Sequence, residues 1–595
     1  MAKRVVVLRA GVGGLTAAHE LAERGYEVTV YERMVAYGGK ARSIPKPNSG
    51  IEERQDLPGE HGFRFFPGFY RHVIDTMQRI PFHKTQNVAD NLTAATQSML
   101  ARFDQAPLVS LVGFPRTWAE WKMFFHMLTE SNGVSLKDNL HFLRCLWVMA
   151  SSCMDRVNKE YDWIAYWTFI DAAHRSVAYQ QLLGQGLTRS LVAMQAELSS
   201  TRTIATVFCQ MIYPMLDPTR HDDRLLCAPT DIAWIFPWVS YLMTLGVQYE
   251  LGKLVYGFEA YPDAPRLRTI TVDVKGVKTL LTHGQDFDYA ISAIPVDGMT
   301  TILSFPSGKE FLAKAPGLAG VMQLQTRWMN GVQFYLDHDI PLVNGHVLYV
   351  STPWALTGIS QIQFWKQFEL TTCGDGRKRC LLSVDISEWS TPGILIKKKA
   401  CDCTHQEIAT EVWAQLKRSH NVNGQKVLPE EVPEFFMDDC INLKRVDPYA
   451  TSQLAGYKNP YGDHVNLEPL FINTVGSHRF RPKADFGFDN FFLASDYVRT
   501  YTDLATMEGA NEAARRAVNA LLEHDESSAP RAQVWPLDQP WYMRPWQALD
   551  AWRFSHGKPN LFSTPEMRRQ PGDKPQPAEP SQPPNPSGQA KGTGA

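Results

Sequence analysis

The run Val5-Val6-Val7-Leu8 is apolar at every position and short, the pattern of a strand buried on both faces of a parallel sheet. A turn with Gly11, Gly13 and Gly14 follows. LTAAHELAERG then has helical apolar spacing, and EVTVYE has strand character, so residues 1–32 form a β-α-β unit. Residues 100–220 are rich in helix-forming and aromatic residues. Within them TWAEWKMFFHMLTE places Trp118, Trp121, Phe124, Phe125 and Leu128 at helical spacing. Strand patterns return in VQYELGKLVYGFEA, LRTITVDV and DYAISAIP, between residues 245 and 295. Residues 320–440 mix both patterns, and NFFLASD at 490–496 leads into a helix from about Leu504 to Leu522.

The longest apolar run, IAWIFPWVSYLMTLGV at 232–247, is interrupted by Pro237 and Ser240. It falls short of the roughly 18 uninterrupted apolar residues of a membrane span and reads as a buried helix opened by Pro237. Trp535, Trp541, Trp546 and Trp552 lie among prolines after residue 526, and from about 564 the chain has the composition of a disordered tail.

Length and charge narrow the classes. A chain of 595 residues holds two or three domains. A net charge of −2 gives no pull toward nucleic acid. The N-terminus enters a strand directly with no apolar leader, which points to a cytoplasmic protein. Nine scattered cysteines without a C-x-x-C fit a reducing compartment and argue against a zinc site, with Cys401 and Cys403 read as two loop thiols.

The chemistry concentrates in three clusters. The first strand, glycine turn and helix make a dinucleotide fingerprint, and Glu32 closes the second strand where an acid accepts hydrogen bonds from a ribose. Tyr37-Gly38-Gly39-Lys40-Ala41-Arg42 adds close-approach glycines and two cations for phosphates, beginning four residues after Arg33. At the far end, Leu493-Ala494-Ser495-Asp496 and Met507-Glu508-Gly509-Ala510 put a strand end and a helix start at a second anion- or ring-binding position. Two such positions nearly 500 residues apart imply one large cofactor touched by both ends of the chain.

This set of motifs resembles the FAD-dependent amine oxidase and carotenoid desaturase superfamily, closest in character to plant- and cyanobacterial-type phytoene and zeta-carotene desaturases. Glu60-His61-Gly62-Phe63-Arg64-Phe65-Phe66-Pro67-Gly68, Arg224-Leu225-Leu226-Cys227-Ala228-Pro229 and Tyr289 to Asp297 resemble further segments of that family. The resemblance covers roughly residues 1–80, 220–300 and 470–522. It implies an α/β, glutathione-reductase-like FAD-binding Rossmann domain with an interleaved α+β substrate domain. The FAD-binding parts would be residues 1–99, 220–300 and 441–525, and the substrate domain 100–219 and 301–440. A Trp/Pro-rich extension over 526–563 and a tail over 564–595 would follow.

The same resemblance implies site roles. Gly11, Gly13 and Gly14 would lie by the pyrophosphate, Glu32 by the ribose, and Lys40 and Arg42 near the phosphates, with Arg9, Arg33 and Gly39 also binding the cofactor. Val255 would meet adenine through its backbone, Asp496 would hold the ribityl-pyrophosphate region, and Met507 and the backbone at Glu508–Ala510 would sit near the isoalloxazine. Polar participants at the flavin would be His61, Arg64, Tyr497 and Tyr501, each with a plainer reading as packing or ion pairing.

The departures are equally specific. Ser495 replaces a usual glycine, Arg64 replaces the desaturases' histidine, and residues 46–58 lengthen a loop. Arg9 replaces the first fingerprint glycine, which serves the tight turn leaving the strand. A guanidinium is attracted to a pyrophosphate, but a β-carbon is costly where φ must be positive. Steric cost is expected to win, weakening FAD binding relative to Arg9→Gly.

The expected activity is desaturation or dehydrogenation of a long apolar chain, isoprenoid, carotenoid-like or fatty, by hydride transfer to flavin N5, with quinone or oxygen as acceptor. Aromatic and methionine side chains such as Phe124, Met127, Trp163, Trp167 and Met211 suit such a substrate or an ordinary core. Two other classes share the cofactor: an amine or amino-acid oxidase, and a redox-neutral FAD-dependent double-bond isomerase. A weaker fourth is a scaffold that has lost FAD. Peripheral membrane association through residues 118–128 or 535–552 would give access to an apolar substrate.

Overall fold

In a computed structural model the described residues are 2–113, 117, 118, 120, 134–186, 188, 189, 194–216, 223–441, 443, 444 and 464–568. The aromatic segment 117–130 lies almost wholly outside them, as does the tail from 569.

The apolar run forms strand β1 (Arg4–Leu8), followed by helix α1 (Val12–Ala22) and strand β2 (Glu27–Glu32). Three more strands complete a parallel sheet: β3 (Gln248–Leu251), β4 (Tyr289–Ser292) and β5 (Phe491–Leu493). The order is β5-β4-β1-β2-β3, with β1 at the centre and nearly solvent-free. Complete burial is why β1 carries no polar alternation. Distant parts of the chain therefore meet in one sheet: Val7 pairs with Ile291, which pairs with Phe492.

Helix α2 (His72–Arg79) and the C-terminal helix α4 (Met507–His524) pack with α1 on this sheet, and helix α3 (Val296–Ser304) follows β4. A three-stranded antiparallel sheet, Leu254–Ala260, Leu267–Val274 and Val277–Thr282, lies between β3 and β4 in sequence.

The second unit is a seven-stranded mixed sheet in the order 434–437, 330–336, 380–386, 356–360, 345–349, 97–102, 105–111. The helix His405–His420 packs on it through Val412, Trp413 and Leu416. A third core lies among helices between residues 136 and 216. The parallel-sheet unit and the seven-stranded sheet are each built from segments far apart in the chain. The strands between 97 and 111 join the seven-stranded sheet, although they straddle the boundary placed at residue 99.

Two local expectations are refined. The apolar run at 232–247 begins one turn early as a π-helical turn, Asp231–Ile235, before the α-helix Phe236–Thr244 that has Pro237 in its first turn. The Trp-rich extension is folded rather than irregular over its second half, as the helix Arg544–Ser555. Asp550 fixes it to the body by accepting from the Cys153 amide at 2.9 Å and pairing with Arg156 at 3.0 Å.

Candidate cofactor and substrate site

The glycine turn is shaped by contacts that exclude side chains. A β-carbon on Gly13 would stand 2.1 Å from the Ala494 carbonyl oxygen, and one on Gly14 would stand 1.8 Å from that of Arg9. These glycines bring the N-terminus of α1 against the end of β5 and the start of α4. Gly38, at φ +90, donates from its amide to Ala10 O at 2.8 Å, and a β-carbon on Gly39 would lie 3.0 Å from Gly11 Cα. The Gly38–Arg42 turn thus rests directly on the fingerprint turn, although 27 residues separate Gly11 from Gly38.

A cavity of about 390 Å³ opens on this cradle and runs to the seven-stranded sheet. Gly11, Gly13, Glu32, Arg33, Gly39 and Lys40 line its cofactor end. Arg42, Asp496, Met507 and Ala510 line it too, so residues from both ends of the chain converge as the motifs imply. His61 and Arg64 also reach it. The first turn of α1 holds no acidic residue, and its amides and the α4 N-terminus border the same space. A β-carbon at Gly13 would force the Ala494 carbonyl out of the cradle wall, and the cradle's chemistry is that of a pyrophosphate and ring site. The residues fit FAD.

The charged groups around it are already engaged. Arg33 pairs with Glu468 at 2.6 Å, and Arg42 lies 3.7 Å from the same carboxylate. Lys40 donates to the Pro469 carbonyl. Arg64 donates to the carbonyls of Lys40 at 2.5 Å and Ala41 at 3.2 Å, and its guanidinium is not hydrogen-bonded to Glu60. Burial pushes the Glu60 carboxyl up, against the charge of Arg64. His61 Nδ1 lies 3.0 Å from Asp438, and Asn330 Nδ2 donates to its Nε2 at 2.8 Å. Nδ1 therefore carries the proton, and the imidazole is held from both sides.

Arg9 has φ +98, in the region that favours glycine. Its guanidinium turns to Glu32 at 3.3 Å, while Glu32 also accepts from the amides of Ala10 at 2.8 Å and Met34 at 3.0 Å. Arg9 and Arg33 line both the main cavity and a small one of about 40 Å³ beside Val255. They stand between the glycine cradle and the position assigned to adenine.

Five residues expected at the site do not line the main cavity. Val255 borders only the small cavity. Glu508 faces α2, where it accepts from the amides of Arg71, His72 and Val73 and meets His72 Nδ1 at 2.7 Å; it caps that helix. Tyr497 is buried with an unpaired hydroxyl and does not line the cavity. Tyr501 is exposed under the Arg516 guanidinium, 4.4 Å from its ring centre. Gly14 acts through packing rather than by lining the cavity.

The structure adds residues that spacing did not reveal. Asp385, on the strand Cys380–Ile386, lines the far wall with Thr357 and His346. Burial pushes the Asp385 carboxyl up to about 7, against the Arg64 charge and the Phe63 amide. The same cause drives His346 down to about 4 and leaves it neutral.

Comparisons with known proteins agree with this geometry. Residues 10–80 match the NAD(P)-binding Rossmann-like domain, and residues 265–522 match the flavin containing amine oxidoreductase family. No curated protein sequence matches the chain. Solved structures share the fold at low identity. An oxidoreductase from Methanosarcina mazei has a TM-score of 0.54 at 12% identity, covering 87% of this chain and 100% of its own. Cyclohexylamine oxidase from Brevibacterium oxydans IH-35A gives 0.54 at 11%, covering 88% and 100%. Putrescine oxidase bound to putrescine gives 0.54 at 12%, covering 88% and 99%. The cradle and the two matched regions make this chain an FAD-dependent oxidoreductase, and the solved structures share its fold.

Proposed function

We propose that the protein is a desaturase or dehydrogenase of a long apolar chain, isoprenoid, carotenoid-like or fatty. The observation that carries this reading is the apolar share of the cavity wall. Its lining includes side chains such as Phe65, Phe69, Met194, Met211, Phe471 and Leu504. Such a wall excludes water and holds a flexible hydrocarbon by shape.

Bound FAD supplies a two-electron hydride acceptor at N5. The chain's own residues do the rest. The α1 and α4 N-termini would hold the pyrophosphate and ring. Arg64, bound to the carbonyls of Lys40 and Ala41, would supply positive charge there, and His61 would stay fixed by Asp438 and Asn330. A conjugated chain spreads developing positive charge itself, so few polar groups are needed along its length.

Access for such a substrate is through a bilayer surface. Leu136, Leu140, Leu143 and Trp147 form one exposed stripe on the helix Leu136–Ser151, continued by Trp546 of the helix Arg544–Ser555. Trp147 and Trp546 meet at 6.5 Å between ring centres. Among the described residues no helix is long and apolar enough to cross a membrane, and this stripe suits peripheral docking.

The alternative, an amine oxidase, is favoured by the family match at 265–522 and by the substrates named for the putrescine and cyclohexylamine oxidases. Incubation of the FAD-saturated protein with an isoprenoid hydrocarbon and a quinone separates the two. Desaturation appears as a product two hydrogens lighter. Hydrogen peroxide release on amines, with no change in the hydrocarbon, selects the oxidase.

A further inference from the structure

The cavity lining is polar where it meets the seven-stranded sheet. Thr357 and Asp385 are direct partners across the antiparallel strands 356–360 and 380–386, so both side chains leave the same face. His346 pairs by register with Ile359, which shares a face with Thr357, and so joins them. All three line the cavity.

All three are buried, and one polar atom on each is unpaired: Asp385 Oδ1, Thr357 Oγ1 and His346 Nε2. Asp385 is only 7% exposed and Thr357 is fully buried. Two glycines make room for the carboxylate. A β-carbon at Gly62 or at Gly331 would come within 2.8 Å of Asp385 Oδ1.

Unpaired buried polar groups are costly, and a hydrocarbon laid across this wall would leave the cost in place. A ligand carrying its own donor and acceptor would remove it. The occupant's charge is constrained by its neighbours. Arg64 faces Asp385, while Lys40 and Arg42 line the same cavity together with the carboxylates of Glu32, Glu468 and Asp496. A second cation at Asp385 would be repelled by Arg64, whereas a neutral hydroxyl would not. The hydroxyl oxygen can accept from Thr357 and its hydrogen can go to Asp385 or to His346.

We infer that the substrate is an apolar chain bearing a neutral hydroxyl, and that this hydroxyl is seated on Thr357 and Asp385 with His346 alongside. This rests on the apolar-chain reading above and names the polar end of that substrate. Thr357 and Asp385 are specificity-determining residues, since a site built to hydrogen-bond a hydroxyl discriminates against the analogue without it.

The test is equilibrium binding to FAD-saturated protein, read by perturbation of the flavin absorption spectrum, with farnesol, farnesylamine and the hydrocarbon farnesene. Farnesol is expected to bind at least about tenfold more tightly than farnesene. The near-isosteric Thr357→Val, which removes only the hydroxyl, is expected to shrink that preference to about threefold or less while leaving the farnesene Kd unchanged. Asp385→Asn provides the second variant and is expected to weaken farnesol in the same direction. Farnesene binding as tightly as farnesol overturns the inference and leaves the apolar-chain reading standing. Farnesylamine binding more tightly than farnesol overturns it in favour of a cationic substrate. If none of the three binds, the apolar-chain reading fails and the inference fails with it.

Discussion

Arg9 and Glu32 form an ion pair of 3.3 Å at the point where a ribose would meet the acid. The pair joins the turn after β1 to the end of β2, and it holds Arg9 at φ +98. A ribose binding at Glu32 must compete with this guanidinium. Removing the side chain relieves the strained backbone, a cost of about 1–3 kcal/mol, and frees the carboxylate. Arg9→Gly is therefore expected to tighten FAD binding about tenfold, measured by FAD fluorescence quenching on titration of apoprotein. Equal affinities would show that Arg9 moves aside without cost.

Gly13 decides whether the cradle can form. A methyl group there would overlap the Ala494 carbonyl at 2.1 Å, a backbone atom at the end of a buried strand. Gly13→Ala is expected to lose FAD retention through purification and to lower Tm by several degrees.

Glu508 lies within a motif that reads as flavin-facing, yet its carboxylate caps α2 through three amides and His72. Glu508→Ala is expected to cost on the order of 3 kcal/mol in denaturant unfolding. The FAD Kd of the folded protein should stay within about threefold of the parent, because the side chain does not line the cavity. Tyr501→Phe, at an exposed ring, should leave both quantities unchanged.

Asp385 gives a pH dependence of defined sign. Its carboxyl titrates at about 7 when folded and near 3.8 when unfolded. The folded state therefore holds more protons between those values, and stability falls as pH rises from about 4 to about 7. Asp385→Asn removes this loss. The variant is expected to gain on the parent as pH rises, by on the order of 3 kcal/mol between pH 4 and pH 8, in urea unfolding. A constant difference across that range would show that the carboxyl is not buried as described.

The parts legible in the sequence were those with local signatures. The apolar run of β1, the glycine turn and the acid at Glu32 each lie within a few residues of the next, and all take the expected places. The convergence of Asp496, Met507 and Ala510 on the same cavity was legible because helix starts and strand ends bind anions through the backbone. Side-chain direction was not legible. Glu508 and Tyr501 belong to the right segment and point away from the cavity, because neighbours on α2 and α4 claim them. Asp385, Thr357 and His346 carry no motif at all. Only the register of three strands puts them on one face, and register is a property of the assembled sheet.

The most direct test of the account is anaerobic reduction of the bound flavin in a single turnover. The FAD-saturated protein is mixed with a hydroxylated isoprenoid chain in detergent or, separately, with a panel of primary amines, and the visible flavin band is followed. Bleaching by the isoprenoid and none by the amines is the predicted result. Bleaching by an amine, with the isoprenoid silent, would contradict the proposed function and make the protein an amine oxidase.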